Sequence, residues 1–394
     1  MRKLIKLSKK RKKLVIGLMS GTSLDGIDAS LVEIENSGVR TKFKELYFKS
    51  YPYPQKLRDI ILENSLQDRG TVNQICELNM LIGKLYAKAV ENICREYGIE
   101  VSDIDLIGSH GQTIHHLPKA KRMFGSEVRA TLQIGDPSVI SKLTGVITVG
   151  DFRTGDMALG GQGAPLVPYF DYITFRSNRT NRALLNIGGI SNITLLKKKC
   201  KLEDVIAFDT GPGNMMIDYL MKKLFRRKFD KDGKTAFRGD VNRKLFDKLI
   251  RLDKFLDAEP PKSTGREYYN QKFIDKVLNG IADLKKVDII RTFSEFTSYA
   301  IFYNYQKFLR QECEITEMLV SGGGANNKYL ITSLQHYFGN RVRVKTVDGK
   351  LMSSDSKEAL CFAILANETI SGNAANIPRV TGASAATVLG KICP

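Results

Sequence analysis

The sequence predicts an α/β fold, and three observations carry that prediction. Strand-like and helix-like stretches alternate along the 394 residues, the pattern of mixed sheets flanked by helices. A strand–glycine–strand hairpin occurs twice, near residues 17–35 and 183–196. The repeat points to a duplication, with one hairpin in each of two similar lobes. The length suits two or three domains with more than one sizeable core.

Taken in order, the basic start MRKLIKLSKKRKK reads as a solvated tail leading into a first strand. The apolar run LVIGLM that follows is too short for a signal-peptide core, and no small-residue cleavage site comes after it. Residues 14–19 and 27–35 read as strands around a loop of Gly, Ser and Thr. From about 55 to 97 apolar residues recur three and four apart, as a helix requires. "DIDLIGSHGQTIHH" reads as strand then loop, "LTGVITVGDF" as a strand, and "TGDMALGGQGAPLVP" as a long glycine-rich loop. "RALLNIGGISNITLL" repeats the opening hairpin. "VIAFDTGPGNMMIDYLMKKL" is strand, loop, helix, and residues 240–312 are mostly helical. "EMLVSGGGANNKYLITSLQHY" is again strand, glycine loop, helix. "SKEALCFAILANETI" is a helix and "NIPRVTGAS" a loop.

Composition narrows the function classes. No apolar run is long enough to cross a bilayer. The formal charge is +19, which draws anionic partners of any kind. The lysine clusters at 9–13, 197–201 and 222–228 lack interleaved aromatic residues, and no helix-turn-helix or zinc-finger spacing occurs, so no specific nucleic-acid partner is expected. The six cysteines lack metal-ligand spacing and read as small buried apolar residues in a reducing cytosol.

Several loops bear chemistry-capable residues. Gly21, Thr22 and Ser23 let backbone N–H groups and hydroxyls converge on an anion; a tight turn stabilised by its own side chains fits equally well. The Gly-Lys-Ser/Thr ending of a Walker loop is absent. Gly188, Gly189 and Ser191 repeat the ambiguity. Gly322, Gly323 and Gly324, between a strand and a helix, offer a flat backbone surface to a base or ribose, or form a plain turn. Asp209 closes a strand where α/β proteins place ligands, or caps the following helix. His110, His115 and His116 lack metalloprotease spacing and read as satisfied polar histidines. Arg153, Asp156 and Gln162 share one loop, in which Arg153 clamps a carboxylate or forms a surface salt bridge.

Together "GLMSGTSLDGID", "IGSHGQTI", "DFRTGDMALGGQGAPLVP", "LNIGGISNITLL", "FDTGPGN", "PKSTGREYYN", "VSGGGANN" and "NIPRVTGA" resemble the anhydro-N-acetylmuramic acid kinase family, from about residue 15 to the C-terminus. The resemblance implies two ribonuclease-H-like lobes of the actin, sugar-kinase and heat-shock ATPase superfamily, with ATP in a cleft between them. The first lobe is expected to span 1–155 with 372–394, and the second 156–371. The implied ATP-binding segments are Gly21, Thr22, Ser23, Leu24, Asp25, Gly26, Ile27 and Asp28; Gly188, Gly189 and Ser191; and Gly322, Gly323 and Gly324. Asp209 matches the general base and Glu358 a second acid near the sugar. Arg153, Asp156 and Gln133 are candidate sugar contacts. The implied cofactors are ATP and Mg²⁺, the partner a small-molecule sugar, the state a homodimer and the location cytoplasmic. Where sugar kinases begin their phosphate loops with Asp, this chain has Met19 and Asn186, so no metal ligand is assigned. A nucleotide-gated regulatory protein on the same fold is the rival reading.

Overall fold

Nine residues of unbroken apolar-rich sequence form strand β1 (Lys12–Ser20), which turns into β2 (Gly26–Glu35) and then β3 (Lys42–Pro52), all antiparallel. The computed structural model describes residues 2–21, 24–66, 68–347, 352 and 355–394. The chain divides into two units, Met1–Ile173 with Asp348–Pro394, and Thr174–Val347.

In the first unit, β4 (Leu106–Met123) runs parallel to β1 and β6 (Thr148–Gly150) parallel to β4. An edge strand β12 (Lys391–Cys393) pairs β6, giving the order β12-β6-β4-β1-β2-β3. β5 (Ser126–Ile134) pairs β4 off this path. Alternation along β1 sends Ile16 and Leu18 to one face, where they pack with Ile82, Tyr86 and Val90 of the Val72–Tyr97 helix. The opposite face takes the Lys357–Ile370 helix, buried along nearly its whole length. That helix lies unusually close to the sheet. A Cβ on Gly17 would sit 1.8 Å from the Ala359 carbonyl oxygen, and one on Gly108 2.1 Å from that of Phe362. Only glycine permits this approach, and it fixes where the first turn of the helix, with Glu358, is presented.

In the second unit the strands are β7 (Arg182–Ile187), β8 (Ile190–Leu196), β9 (Ile206–Pro212), β10 (Glu317–Ser321) and β11 (Arg343–Thr346). Their order is β11-β10-β7-β8-β9. β7, β8 and β9 are antiparallel, while β10 is parallel to β7 and to β11. This reproduces β6-β4-β1-β2-β3 strand for strand, so the duplication read from the two hairpins is a duplication of a ribonuclease-H-like sheet. A core of Leu185, Ile193, Phe208, Ile217, Phe293 and Leu330 joins this sheet to its helices.

Four expectations need correction. The basic start is a helix, Arg2–Lys9, with Leu7 buried and Lys3 donating to the Gly145 carbonyl. Leu4 and Leu7, three apart, share a face that the surrounding lysines obscure. SHGQTIHH is no loop but the middle of β4, which runs on to Met123 zipped to β5. Its polar residues are buried or half-buried rather than exposed, so polarity alone misreads them as a loop. The second unit begins at Thr174 and ends at Val347, not at 156 and 371, because the Lys357–Ile370 helix packs on β1 and β4. Finally, of the cysteines only Cys94 and Cys361 are buried; all six are free.

Candidate active site

Asp209 lies in β9 opposite Asn192. It does not cap the following helix, Met215–Phe225, whose N-cap is Asn214. Instead its N–H donates to the Lys262 carbonyl at 3.1 Å, and its Oδ2 accepts the Thr264 N–H at 2.9 Å. Among the described residues Oδ1 has no hydrogen-bond donor. Burial pushes the carboxyl up from 3.8 to about 7, helped by nearby Glu267 and opposed by the Thr264 bond and Lys262. The segment that meets Asp209 is itself pinned. Lys262 Nζ donates to the carbonyls of Phe255 and Leu256 at 3.0 and 3.3 Å, and lies 4.7 Å from the ring centres of both Phe255 and Phe308. Burial lowers its own pKa to about 8. Tyr269 donates to buried Asp253 at 2.8 Å.

Three glycine turns converge within this same unit. The carbonyls of Gly188 and Gly189 accept the N–H groups of Asn214 at 2.8 Å and Gly213 at 2.9 Å. Gly322, at φ +80°, would bring a Cβ within 2.6 Å of Asn186 Oδ1, and Gly324 one within 2.4 Å of Ile187 Cγ2. Beside Gly323 opens a cavity of about 270 Å³, lined by Asn214, Ile217, Asp218, Phe229 and Asn326 among others. Phe229 is 56% exposed. Asp218 is pushed up to about 6 by burial and then by Asp230. Asp230 spends both oxygens on the N–H groups of Thr235 and Ala236. Ser191 is corrected here: it is fully buried, with its hydroxyl 2.7 Å from that of Thr210 and donating to the Gly211 carbonyl. It clips β8 to β9 and offers nothing to a ligand.

In the first unit, Thr22 and Ser23 lie outside the described residues. The Gly21 carbonyl accepts the Leu24 N–H at 3.2 Å and Gln112 Nε2 at 3.4 Å. Leu24 holds φ +59°, a conformation costly for a side-chain-bearing residue. Its side chain and that of Ile27 are core, so only their backbone is available to a ligand. Asp25 is exposed and paired with Arg58 at 2.9 Å. Gly26 and Asp28 belong to β2; Asp28 accepts from Ser50, and burial followed by Asp355 and Asp25 raises its pKa.

Glu358 stands in the first turn of the Lys357–Ile370 helix, open to solvent and without a hydrogen bond or ion pair among the described residues. Although the residue has exposed surface, desolvation by the protein packed around the carboxyl raises its pKa, Arg153 opposing the rise and Asp28 adding to it. Arg153 donates through Nε to His110 Nε2 at 3.0 Å and through Nη1 to the Gly163 carbonyl at 2.8 Å. Gln133, half-buried, spends its amide nitrogen on Thr131 at 2.7 Å and Thr113 at 3.3 Å. Asp156 is corrected: wholly buried, it accepts from the Gly163 N–H, Asn376 and Thr381 at 2.8, 2.8 and 2.6 Å. It ties the glycine-rich loop to the C-terminal segment and is not open to a sugar.

A family model for anhydro-N-acetylmuramic acid kinase matches residues 13–394. The chain belongs to the anhydro-N-acetylmuramic acid kinase family. A relative named anhydro-N-acetylmuramic acid kinase in Caldanaerobacter subterraneus subsp. tengcongensis is 46% identical and covers 100% of both chains. One of the same name in Clostridioides difficile is 43% identical over 96% of this chain and 98% of its own. Among solved structures, the activator of the 2-hydroxyisocaproyl-CoA dehydratase from Clostridium difficile with bound ADPNP covers 91% of this chain and 95% of its own, at 10% identity and TM-score 0.44.

As a member of the anhydro-N-acetylmuramic acid kinase family, the chain has every residue of the candidate site within the matched span, while the Arg2–Lys9 helix precedes it. Among the described residues no group of three or more His, Cys, Asp or Glu could hold a metal. A magnesium ion carried by phosphates needs only one or two carboxylates, and the crowded negative charge around Asp28 fits that demand. Sequence reasoning missed Thr264 and Lys262, although the segment PKSTGREYYN was singled out. It also missed Asp218 and Phe229, which carry no motif, and the pairing of His110 with Arg153, which only folding reveals.

Proposed function

We propose that this sugar kinase uses ATP and water to open the 1,6-anhydro ring of 1,6-anhydro-N-acetylmuramic acid and to phosphorylate O6, giving N-acetylmuramic acid 6-phosphate and ADP. The observation that carries the reading is Asp209: a carboxylate with a pKa near 7 and one unbonded oxygen, in a chain matched to this family over residues 13–394. A general base works best when its pKa lies near the operating pH. Oδ1 of Asp209 takes a proton from water as the water oxygen bonds to C1. The C1–O6 electron pair passes to O6, which bonds to the γ-phosphorus as ADP leaves. Glu358 is the second acid beside the sugar, with Arg153 to contact sugar oxygens and Gln133 a further candidate contact.

The cavity beside Gly323 fits the nucleoside end of ATP. Phe229 offers a face for stacking, and Asp218 an acceptor for a hydroxyl or amino group. The backbone at Gly188, Gly189 and Gly322–Gly324, and that at Gly21–Asp28, is assigned to the phosphates. Magnesium, through Asp28, would neutralise phosphate charge. A purely regulatory ATPase would have no use for a base poised like Asp209. The family likeness also supports a homodimer working in the cytoplasm, where ATP is supplied; among the described residues no helix is long and apolar enough to cross a membrane.

The test is incubation of the full chain with ATP, Mg²⁺ and the anhydro sugar, followed by mass analysis. A sugar product heavier by one water and one phosphoryl group is expected. ATP consumption with the sugar unchanged overturns the proposal.

A further inference from the structure

Arg153 is held from two sides, and the identity of one holder decides its own chemistry. Arginine has only donors. The 3.0 Å contact from Arg153 Nε therefore requires a bare Nε2 on His110. The proton of His110 must then sit on Nδ1, where the Gly111 carbonyl accepts it at 2.9 Å. The ring is 3% exposed. Its centre lies 4.6 Å from that of Phe362, on the helix that also carries Glu358, and Phe362 lies 5.4 Å from Phe152. Burial, then the Arg153 charge, pushes the imidazole pKa well below its usual value.

The other groups around it are accounted for. His116 is pushed down to about 4 by burial and Arg153. Cys361 and Glu358, on the packed helix, act on Arg153. Lys357, next along, is bound to Asp171 at 2.6 Å. With Nε on His110 and Nη1 on Gly163, the guanidinium has one nitrogen, Nη2, without a hydrogen bond among the described residues.

We propose that His110 is a positioning residue: a neutral, Nδ1-protonated imidazole that fixes the guanidinium of Arg153 so that its Nη2 edge stays available to an oxygen of the sugar. The proposal rests on the reading that Arg153 meets the sugar. The imidazole orients a cation by accepting from it, so protonation or the other tautomer would release Arg153.

Two measurements test it. The chain has four histidines, so ¹⁵N NMR of the full chain, compared with His110→Phe, assigns the His110 ring. A neutral Nδ1–H ring at pH 7 is expected; an Nε2–H ring or an imidazolium overturns the proposal. In kinetics, His110→Phe should raise KM for the anhydro sugar about tenfold or more, as losing a hydrogen bond to a charged group does, with KM for ATP unchanged. His110→Gln, whose amide oxygen can accept from Nε, should recover part of the loss. A sugar KM equal to wild type in His110→Phe, or equal rises in both KM values in both variants, overturns it. If wild type fails to turn over the anhydro sugar, the functional reading fails, while the NMR result still judges His110.

Discussion

Replacing Asp209 by Asn should do two opposite things, abolish turnover and stabilise the fold above neutral pH. The folded-state pKa of about 7 lies above the ordinary 3.8 because the carboxyl is buried with a single N–H partner. The folded state therefore holds this proton more tightly than the unfolded chain. Its stabilising effect is complete below about pH 4 and is lost as pH rises through 7. Between pH 5 and 8 the loss is about 3 kcal/mol, at 1.36 kcal/mol per unit. Asn keeps an oxygen for the Thr264 N–H and has no proton to lose. Thermal melts of both proteins without ligands, from pH 5 to 8, should show the variant gaining on wild type by roughly 3–8 °C, the lower figure if all 394 residues melt together and the higher if Thr174–Val347 melts by itself. Melting curves that stay parallel across this range would refute a strained, buried base. Turnover of the variant within tenfold of wild type would remove Asp209 from its role, since a general base contributes about 10²-fold or more.

The remaining predictions concern the surroundings. In wild type, kcat/KM for the sugar should rise with pH to a plateau, with an apparent pKa near 7 from Asp209; a rate flat from pH 5 to 8 contradicts it. Asp156→Ala should cost about 3 kcal/mol, because it takes the shared acceptor from three buried donors and leaves the Gly163 N–H without one, while Asn376 and Thr381 keep only the Ala385 and Ile377 carbonyls; a melting point equal to wild type with a raised sugar KM would return Asp156 to the substrate. Gly108→Ala should lower the melting point sharply by driving a methyl group into the Phe362 carbonyl, and unchanged stability would contradict the close helix approach. Asp218→Ala, which removes the acceptor, should raise KM for ATP several-fold without changing KM for the sugar, as lost hydrogen bonds at the nucleoside do; an unchanged KM for ATP places the nucleoside elsewhere.

What the sequence made legible follows from the range of each force. Hairpins such as β1–β2 and β7–β8 are local, and their alternation and glycine turns are written in consecutive residues. Asp209 was placed correctly on a strand, but that it bonds Thr264 and Lys262 rather than capping the next helix is set by residues more than fifty positions away. The roles of Asp156 and Ser191 were not visible. A buried carboxylate that ties residue 163 to residues 376 and 381 looks, in a glycine-rich loop, like one awaiting a ligand. The hydroxyl of Ser191 looks like a phosphate donor until Thr210 is found beside it. The helix Lys357–Ile370 was read correctly as a helix but assigned to the other unit. Its docking depends on Gly17 and Gly108, some 250 to 340 residues away, and long-range packing leaves no local mark. The same holds for Lys262 and its aromatic cage of Phe255 and Phe308.

The most direct measurement is turnover in ¹⁸O-water with ATP, Mg²⁺ and the anhydro sugar, quenched early and read by fragment mass. If Asp209 activates water against C1, one ¹⁸O appears on the sugar at C1 and none in the transferred phosphoryl group. Phosphorylated sugar without the label at C1, or the label in phosphate alone, contradicts the account.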